Sequence, residues 1–470
     1  MLQYIARWSL RNRPLVLVLT AVVVVLGLNA ARTLPIDAVP DITNIQVQIL
    51  TNAPALGPLE VESFVTIPVE RSMSGLPRVT DLRSVSKFGL SQVTVVFEDG
   101  TDIYRARQLV AERLQEARDA IPEGYGTPEV APLSTGLGEV YQFEVRGRGR
   151  TLMELRSILD GYISPQLRNV PGVVDVNTFG GELRTYQLEL DPALLQSHQV
   201  SLRDVIDALQ RSNGSAGAAY IERHREQLLI RGDGLISTLD DLGDTVIANG
   251  DDGVPILARH LGRVSFAPEV RHGAVTRDGN GEIVAGVVMM MVGENSRAVV
   301  DRVRTRVAEI QPRLPAGVRI EPFYDRAELI RATIATVVRN LVEGGALVIV
   351  VLFLFLRNLR SGIVVASLIP LSMLVAFLGM RAAGVSGNLM SLGAIDFGLA
   401  IDTAIIIVEN SMRRMSERYQ AVGRALTPVE RDELVLNASV EVRTATAFGE
   451  LITALVYVPI LTLAGIEGKM

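Results

Sequence analysis

Asp396, Asp402 and Glu409 interrupt the segment "AIDFGLAIDTAIIIVEN" (residues 394–410), which is otherwise apolar enough to cross a bilayer. An acid at the centre of a membrane helix costs about 2.5–3.5 kcal/mol on insertion scales, so three of them need a reason to be there. On a helix, Asp402 and Glu409 are seven residues apart, which puts them on nearly one face and about 10 Å apart along the axis. Asp396 lies about 120° round from Asp402, so the acids make a polar seam on two faces. A carboxylate buried in a helix bundle beside a movable cation can take up and release a proton near neutral pH, which makes the three acids candidates for a proton relay. Glu409 is the least costly of them, since it lies at the cytoplasmic end where a side chain can snorkel. The alternative is that the acids only hydrogen-bond to neighbouring helices.

A second group of candidates could hold a metal. Glu139 opens a strand after "TGLG", and Asp175 sits between valines in "GVVDVN". Both offer hard oxygen ligands, which suit divalent ions better than Cu(I). The competing reading of Asp175 is a strand-edge acid in a salt bridge. Met289, Met290 and Met291 suggest thioether ligation, but consecutive strand residues alternate faces, so the three cannot converge on one ion and core packing is the better reading. His198, His224, His260 and His272 show no ligand spacing and read as surface residues.

The elements that must carry these side chains follow from composition and hydropathy. The chain has 470 residues, 48% of them hydrophobic, with a mean hydropathy of +0.29, which leans toward a membrane protein. Five segments are long and apolar enough to span: Pro14–Ala31, Leu341–Leu356, Gly362–Met380, Leu389–Val408 and roughly Thr444–Ala464. No small-residue cleavage site closes the first, which reads as an uncleaved anchor. Arg7, Arg11 and Arg13 place the N-terminus inside, and the basic stretches "RNLRSG" (357–362) and "RRMSER" (413–418) fall on the same side after alternating crossings. The roughly 300-residue globular insert between the first two spans is then extracytoplasmic. Zero cysteines remove any disulfide framework and any thiolate metal site. A net charge of −6 and a pI near 5.5 argue against a nucleic-acid partner.

Inside the insert a pattern recurs. "GLPRVTDLRSVSKFGLSQVTVVFEDG" (75–100) and "NVPGVVDVNTFGGELRTYQLELDP" (169–192) each read as turn, strand, glycine turn, strand, followed by the helices "DIYRARQLVAERLQEARDA" and "SLRDVIDALQRS". A strand and a helix precede each copy, and the order strand, helix, two strands, helix, strand is that of ferredoxin-like βαββαβ modules. Short strands and Gly/Asp turns over 216–271 suggest a small β-rich subdomain inserted in the second module. The predicted class is an α+β membrane protein. Its parts are a first spanning helix (1–31), module 1 (32–135), module 2 with its insertion (136–329), and spanning helices two to five (330–470).

"LPIDAVPDITNIQVQI", "SKFGLSQVTVVFEDGTDIYRARQLVAERLQEA", "STGLGEVYQFEV", "VVMMMVGENSR" and "SLGAIDFGLAIDTAIIIVEN" together resemble the heavy-metal efflux branch of the resistance-nodulation-division transporters, over essentially the whole chain. The resemblance implies a secondary active transporter rather than an enzyme: a proton/metal cation antiporter in the bacterial inner membrane, multi-pass, with a large periplasmic domain. It also implies a homotrimer that joins a periplasmic adaptor (a membrane fusion protein) and an outer-membrane channel, with the transported divalent metal ion as substrate and no resident cofactor. Acids matching Asp396, Asp402 and Glu409 carry protons in that family and pair with a lysine in its second half. Family members are about twice this length, so the chain reads as an N-terminal half, ending at "LAGIEGKM" where a sixth span is expected to begin. Drug-exporting relatives place two adjacent aspartates at the position of Asp402 and Thr403. The single aspartate with Asp396 six residues earlier is instead the pattern of metal exporters, and more of the divalent-ion branches than of the copper and silver branch. The alternatives are an exporter of drugs or other organic compounds with the same fold, and a non-transporting membrane-tethered periplasmic scaffold.

Overall fold

The computed structural model describes residues 2–34, 42–54, 56–223, 226–250, 253–271, 273–356, 359–385, 387–388 and 398–459. A short amphipathic helix, Leu2–Arg11, leads through Asn12 into α1 (Arg13–Thr33), which starts with Pro14 in its first turn, where a missing N–H costs nothing. The chain that follows folds around two four-stranded antiparallel sheets.

The first sheet contains β1 (Gln46–Asn52), β2 (Val79–Lys87), β3 (Leu90–Phe97) and β4 (Pro128–Val130), in the order β2-β3-β1-β4. β1 alternates half-buried and buried residues along most of its length, the period-two pattern of a strand with one face in the core. A helical stretch over 58–73, with one π-helical turn at Glu62–Thr66, and the helix Ile103–Ala120 cover that face. Ile103–Ala120 is capped by Asp102, which accepts from the Arg105 amide at 2.8 Å, and it buries the stripe Ala106, Val110, Leu114 and Ala117. These residues join Val47, Ile49, Val93 and Val95 in one core.

The second sheet contains β5 (Glu139–Gly147), β6 (Val173–Gly180), β13 (Val284–Met290) and β14 (Val318–Asp325), in the order β14-β5-β13-β6. Its helices run over 152–168, opened by the capping box of Thr151 and Glu154, and over Ser296–Ile310. Between β6 and β13 the chain leaves the sheet through β7 (Arg184–Leu190), β8 (Ser215–Arg223), β9 (Glu226–Asp233), β10 (Val246–Asn249), β11 (Pro255–Leu257) and β12 (Gly262–Pro268). β7 pairs antiparallel with β12, β8 with β9, and β10 with β11.

This corrects the reading of the second repeat. β7 does not return along β6 as a hairpin; β13 takes that place, pairing with β6 from Val284↔Gly180 to Met290↔Val173. The helix Leu202–Ser212 likewise packs its Val205 and Ala208 against Ile247 and Ile256, in a separate small core, and not on the main sheet. The excursion therefore runs from β7 to β12 and starts earlier than the 216–271 range suggested by composition.

Gly286 shows how tightly β13 is packed. A Cβ at this position would meet the Phe143 ring at 2.3 Å, and Phe143 is fully buried. Gly286→Val is expected to destabilise this half of the insert by about 1–3 kcal/mol through overpacking, read as a lower denaturation midpoint. An unchanged midpoint would contradict the packing.

Three helices among the described residues are long and apolar enough to cross a membrane: Arg13–Thr33, Arg326–Val351 and Ser361–Ala383. The last two lie within α2 (Arg326–Leu356) and α3 (Leu359–Ala383). They are followed by α4 (Gly398–Val422) and α5 (Pro428–Tyr457). The start of the fourth expected span (389–397) and the end of the fifth (460–464) lie outside the described residues, and the apolar part of α5 within them is Thr446–Tyr457. α1 packs on α3 through Ala30, Leu34 and Phe377, with Gly27 against Leu374. Val365 of α3 meets Ile405 and Val408 of α4. β14 passes into α2 with no residue between Asp325 and Arg326.

Candidate functional site

Two of the three acids singled out in residues 394–410 sit on α4. Asp396 lies outside the described residues, whereas Asp402 and Glu409 both fall within the helix, and Glu409 is exposed. The face of α4 turned to α5 carries other polar residues. Thr403, 8% exposed, donates its hydroxyl to Glu450 Oε1, and the same oxygen accepts from Arg443 Nη1 at 3.0 Å. Asn410, 7% exposed, donates Nδ2 to the Ala438 carbonyl at 3.0 Å and to Glu441 at 3.4 Å, while its Oδ1 accepts from Arg413 at 2.9 Å. Arg414 holds both Glu441 oxygens, at 2.8 and 2.9 Å. Between the Thr403–Glu450 and Arg414–Glu441 contacts the two helices are thus joined by polar side chains, of which Thr403 and Asn410 are buried. In a bilayer such groups must find partners inside the protein.

Arg443 and Glu450 were passed over in the sequence, where 444–464 read as an apolar span. The signal was present: the two are seven residues apart, hence on one helix face about 10 Å apart and able to pair. Glu450 is also an ionisable residue inside an apolar stretch, the feature that singled out Asp402.

The two acids of the insert are brought into one row. Glu139 on β5 and Asp175 on β6 both pair with Met289 on the strand between them, so the three occupy one face of the sheet, the acids two strand spacings or about 10 Å apart. Glu139 is exposed and accepts from Gln142 Nε2 at 2.9 Å. Asp175 is one-quarter exposed, accepts from Arg168 Nε at 2.7 Å and from the Val176 amide, and so forms the salt bridge weighed in the sequence. The methionines alternate as expected: Met290 is buried in the core, while Met289 is half-buried on the face of the acids. At the foot of this row Arg326 donates to the Leu137 carbonyl at 2.6 Å, tying the residue two before Glu139 to the start of α2. Burial pushes the Tyr141 hydroxyl up to about 12, with the Asp325 and Glu328 carboxylates adding to the shift and Arg304 opposing it, so Tyr141 stays neutral at physiological pH.

His198 and His260 are exposed and line one cavity of 430 Å³ beside the small core of the excursion, whereas His224 and His272 lie outside the described residues. Among the described residues no three His, Cys, Asp or Glu side chains are grouped to hold a metal ion.

The sequence profile of the AcrB/AcrD/AcrF family matches residues 5–470. The chain is 47% identical to the cobalt-zinc-cadmium resistance protein CzcA of Cupriavidus metallidurans, over 479 residues that cover 100% of this chain and 45% of that protein. It is 47% identical to protein HelA of Legionella pneumophila, again with 100% and 45% covered. With the cation efflux system protein CusA of Escherichia coli the identity is 36% over 475 residues, with the same coverage. A crystal structure of a heavy metal efflux pump matches with a TM-score of 0.87 at 35% identity, covering 99% of this chain and 45% of that one. The chain spans about half the length of the curated relatives it matches.

Proposed function

Because the chain belongs to the AcrB/AcrD/AcrF family, in the heavy-metal efflux branch of the resistance-nodulation-division transporters, we propose that it acts as the N-terminal half of an inner-membrane pump exporting divalent heavy-metal cations in exchange for protons. The observation that carries this reading is the joint placement of an acid-bearing membrane helix, α4, and a periplasmic-type sheet with an acid–methionine–acid row. The row gives hard oxygen ligands to a divalent ion, and the helix gives an acid that can carry protons.

In this reading five helices span the bilayer, with α4 and α5 as the fourth and fifth. The insert lies in the periplasm as two ferredoxin-like modules, a division supported by the strand orders β2-β3-β1-β4 and β14-β5-β13-β6. The boundaries proposed are 1–31, 32–135, 136–329 and 330–470, with the docking subdomain extended to take in β7 through β12. The pump is a homotrimer that works with a periplasmic adaptor and an outer-membrane channel. Pseudo-symmetric transporters bind and gate between their repeats, so the insert supplies one wall of the substrate cleft. Asp396, Asp402 and Glu409 form the proton relay, and Glu139 and Asp175 bind the arriving ion at the periplasmic surface. For Asp175 to coordinate, Arg168 must swing away, so the ion and the guanidinium compete for one carboxylate, and the return of Arg168 helps to release the ion.

The test uses the complete transporter in inside-out vesicles with an imposed proton gradient. Zinc or cobalt uptake is expected, and Glu139→Ala with Asp175→Ala is expected to raise the apparent metal KM roughly tenfold or more while leaving the maximal rate close to wild type, since only binding is touched. Uptake of organic cations without metals would overturn the substrate class. Unchanged metal affinity in the double variant would remove the two acids from the site.

A further inference from the structure

We propose that Arg443 and Glu450 are positioning residues of the coupling site. In this reading their ion pair on α5 holds the Thr403 hydroxyl and so fixes the turn of α4 that carries Asp402. The inference rests on the proton-coupling role given to Asp402 above.

One oxygen of Glu450 accepts from two donors that reach it from different helices: Thr403 from α4 and Arg443 from the cytoplasmic side of α5. The ion pair is 3.0 Å long with side chains 36% and 28% exposed, and the apolar residues Phe448, Leu451 and Ile452 that flank Glu450 are themselves exposed at the surface of the bundle. A charge at this depth is costly unless it is paired, and an apolar residue would pack α5 against α4 without that cost. What the pair adds is a directional contact. Thr403 is buried, its hydroxyl is held, and it adjoins Asp402 in the chain, so the orientation of that helical turn follows the Arg443–Glu450 pair. The pair also places a cation in this half of the transporter, where the family resemblance had put the cationic partner only in the other half. Farther along the same interface Asn410, Arg413, Arg414 and Glu441 fasten the cytoplasmic ends, so the Thr403 contact is the polar link nearest Asp402 among the described residues.

The complete transporter in proton-loaded vesicles decides the matter. Glu450→Gln keeps the size of the side chain and removes its charge. It is expected to lower the zinc turnover roughly tenfold, the scale of a lost hydrogen bond to a charged group, with the KM for zinc unchanged. Thr403→Val, which removes only the hydroxyl, is expected to do the same, and Thr403→Ser to restore turnover, a rescue that a packing role would not give. Wild-type turnover in Glu450→Gln overturns the proposal. If Glu450→Gln does not accumulate in the membrane, Thr403→Val decides: reduced turnover at normal abundance supports the proposal, and wild-type turnover overturns it. Asp402→Asn separates the two readings. Normal export in that variant defeats the coupling role itself, whereas lost export there beside intact export in Glu450→Gln and Thr403→Val defeats only this inference.

Discussion

Asp402→Asn in the complete transporter is expected to abolish proton-driven metal export, by roughly 10²–10⁴, the contribution of a positioned proton-transfer group. The amide keeps the size and hydrogen-bonding reach of the acid but cannot carry the proton. Metal binding at the proposed row should persist, because Glu139, Met289 and Asp175 belong to the sheet and not to α4. The measurement pairs zinc binding in detergent with zinc-coupled proton flux in vesicles. Retained binding with lost flux is the expected result, and normal flux would refute the role of Asp402. The effect exceeds that predicted for Glu450→Gln because one change removes the carrier and the other only disturbs its orientation.

The second large effect is expected at Asp325. Its carboxylate is nearly buried and accepts from Arg304 Nε at 2.5 Å, while its other oxygen caps the first turn of α2 by accepting from the Ala327 amide at 2.9 Å and the Glu328 amide at 3.3 Å. Asp325→Ala removes the cap, worth about 1 kcal/mol, and the charge-assisted bond to Arg304, worth about 1.5–3 kcal/mol. A combined loss of about 3 kcal/mol should appear as a lower denaturation midpoint of the complete protein. Asp325→Asn retains the capping oxygen and should recover about 1 kcal/mol of that loss. Equal losses in the two variants would show that the cap contributes nothing.

Local patterns in the sequence carried much of this architecture. The alternation in β1, the stripe on Ile103–Ala120 and the apolar runs of α1, α2 and α3 all depend on residues close in the chain, and each corresponds to an element of the structure. The second repeat misled for a physical reason. Gly180 and Gly181, both with positive φ, look in sequence like a hairpin turn, but here they send the chain out of the sheet, and the partner of β6 comes from more than a hundred residues later. Pairing over that separation leaves no local trace. The site was legible in the same uneven way. Asp402 stood out against an apolar run, and Glu139 and Asp175 were named without any sign that Met289 would lie between them. Glu450 escaped because the partners that make its position tolerable, Thr403 and Arg443, meet it only in three dimensions.

The unbroken passage from β14 into α2 has a mechanical meaning. A hinge needs at least one residue free to change its φ and ψ, yet the amides of Ala327 and Glu328 are bonded to Asp325, and Arg326 is bonded across to the Leu137 carbonyl. Strand and helix are therefore welded into a crank, and the neighbouring strand that bears Glu139 is bolted to its elbow. With 31 residues, α2 is an arm about 46 Å long, so a tilt of about 10° sweeps one end about 8 Å relative to the other. Without slack at the joint, that sweep reaches the strand that bears Glu139 as a displacement of the sheet.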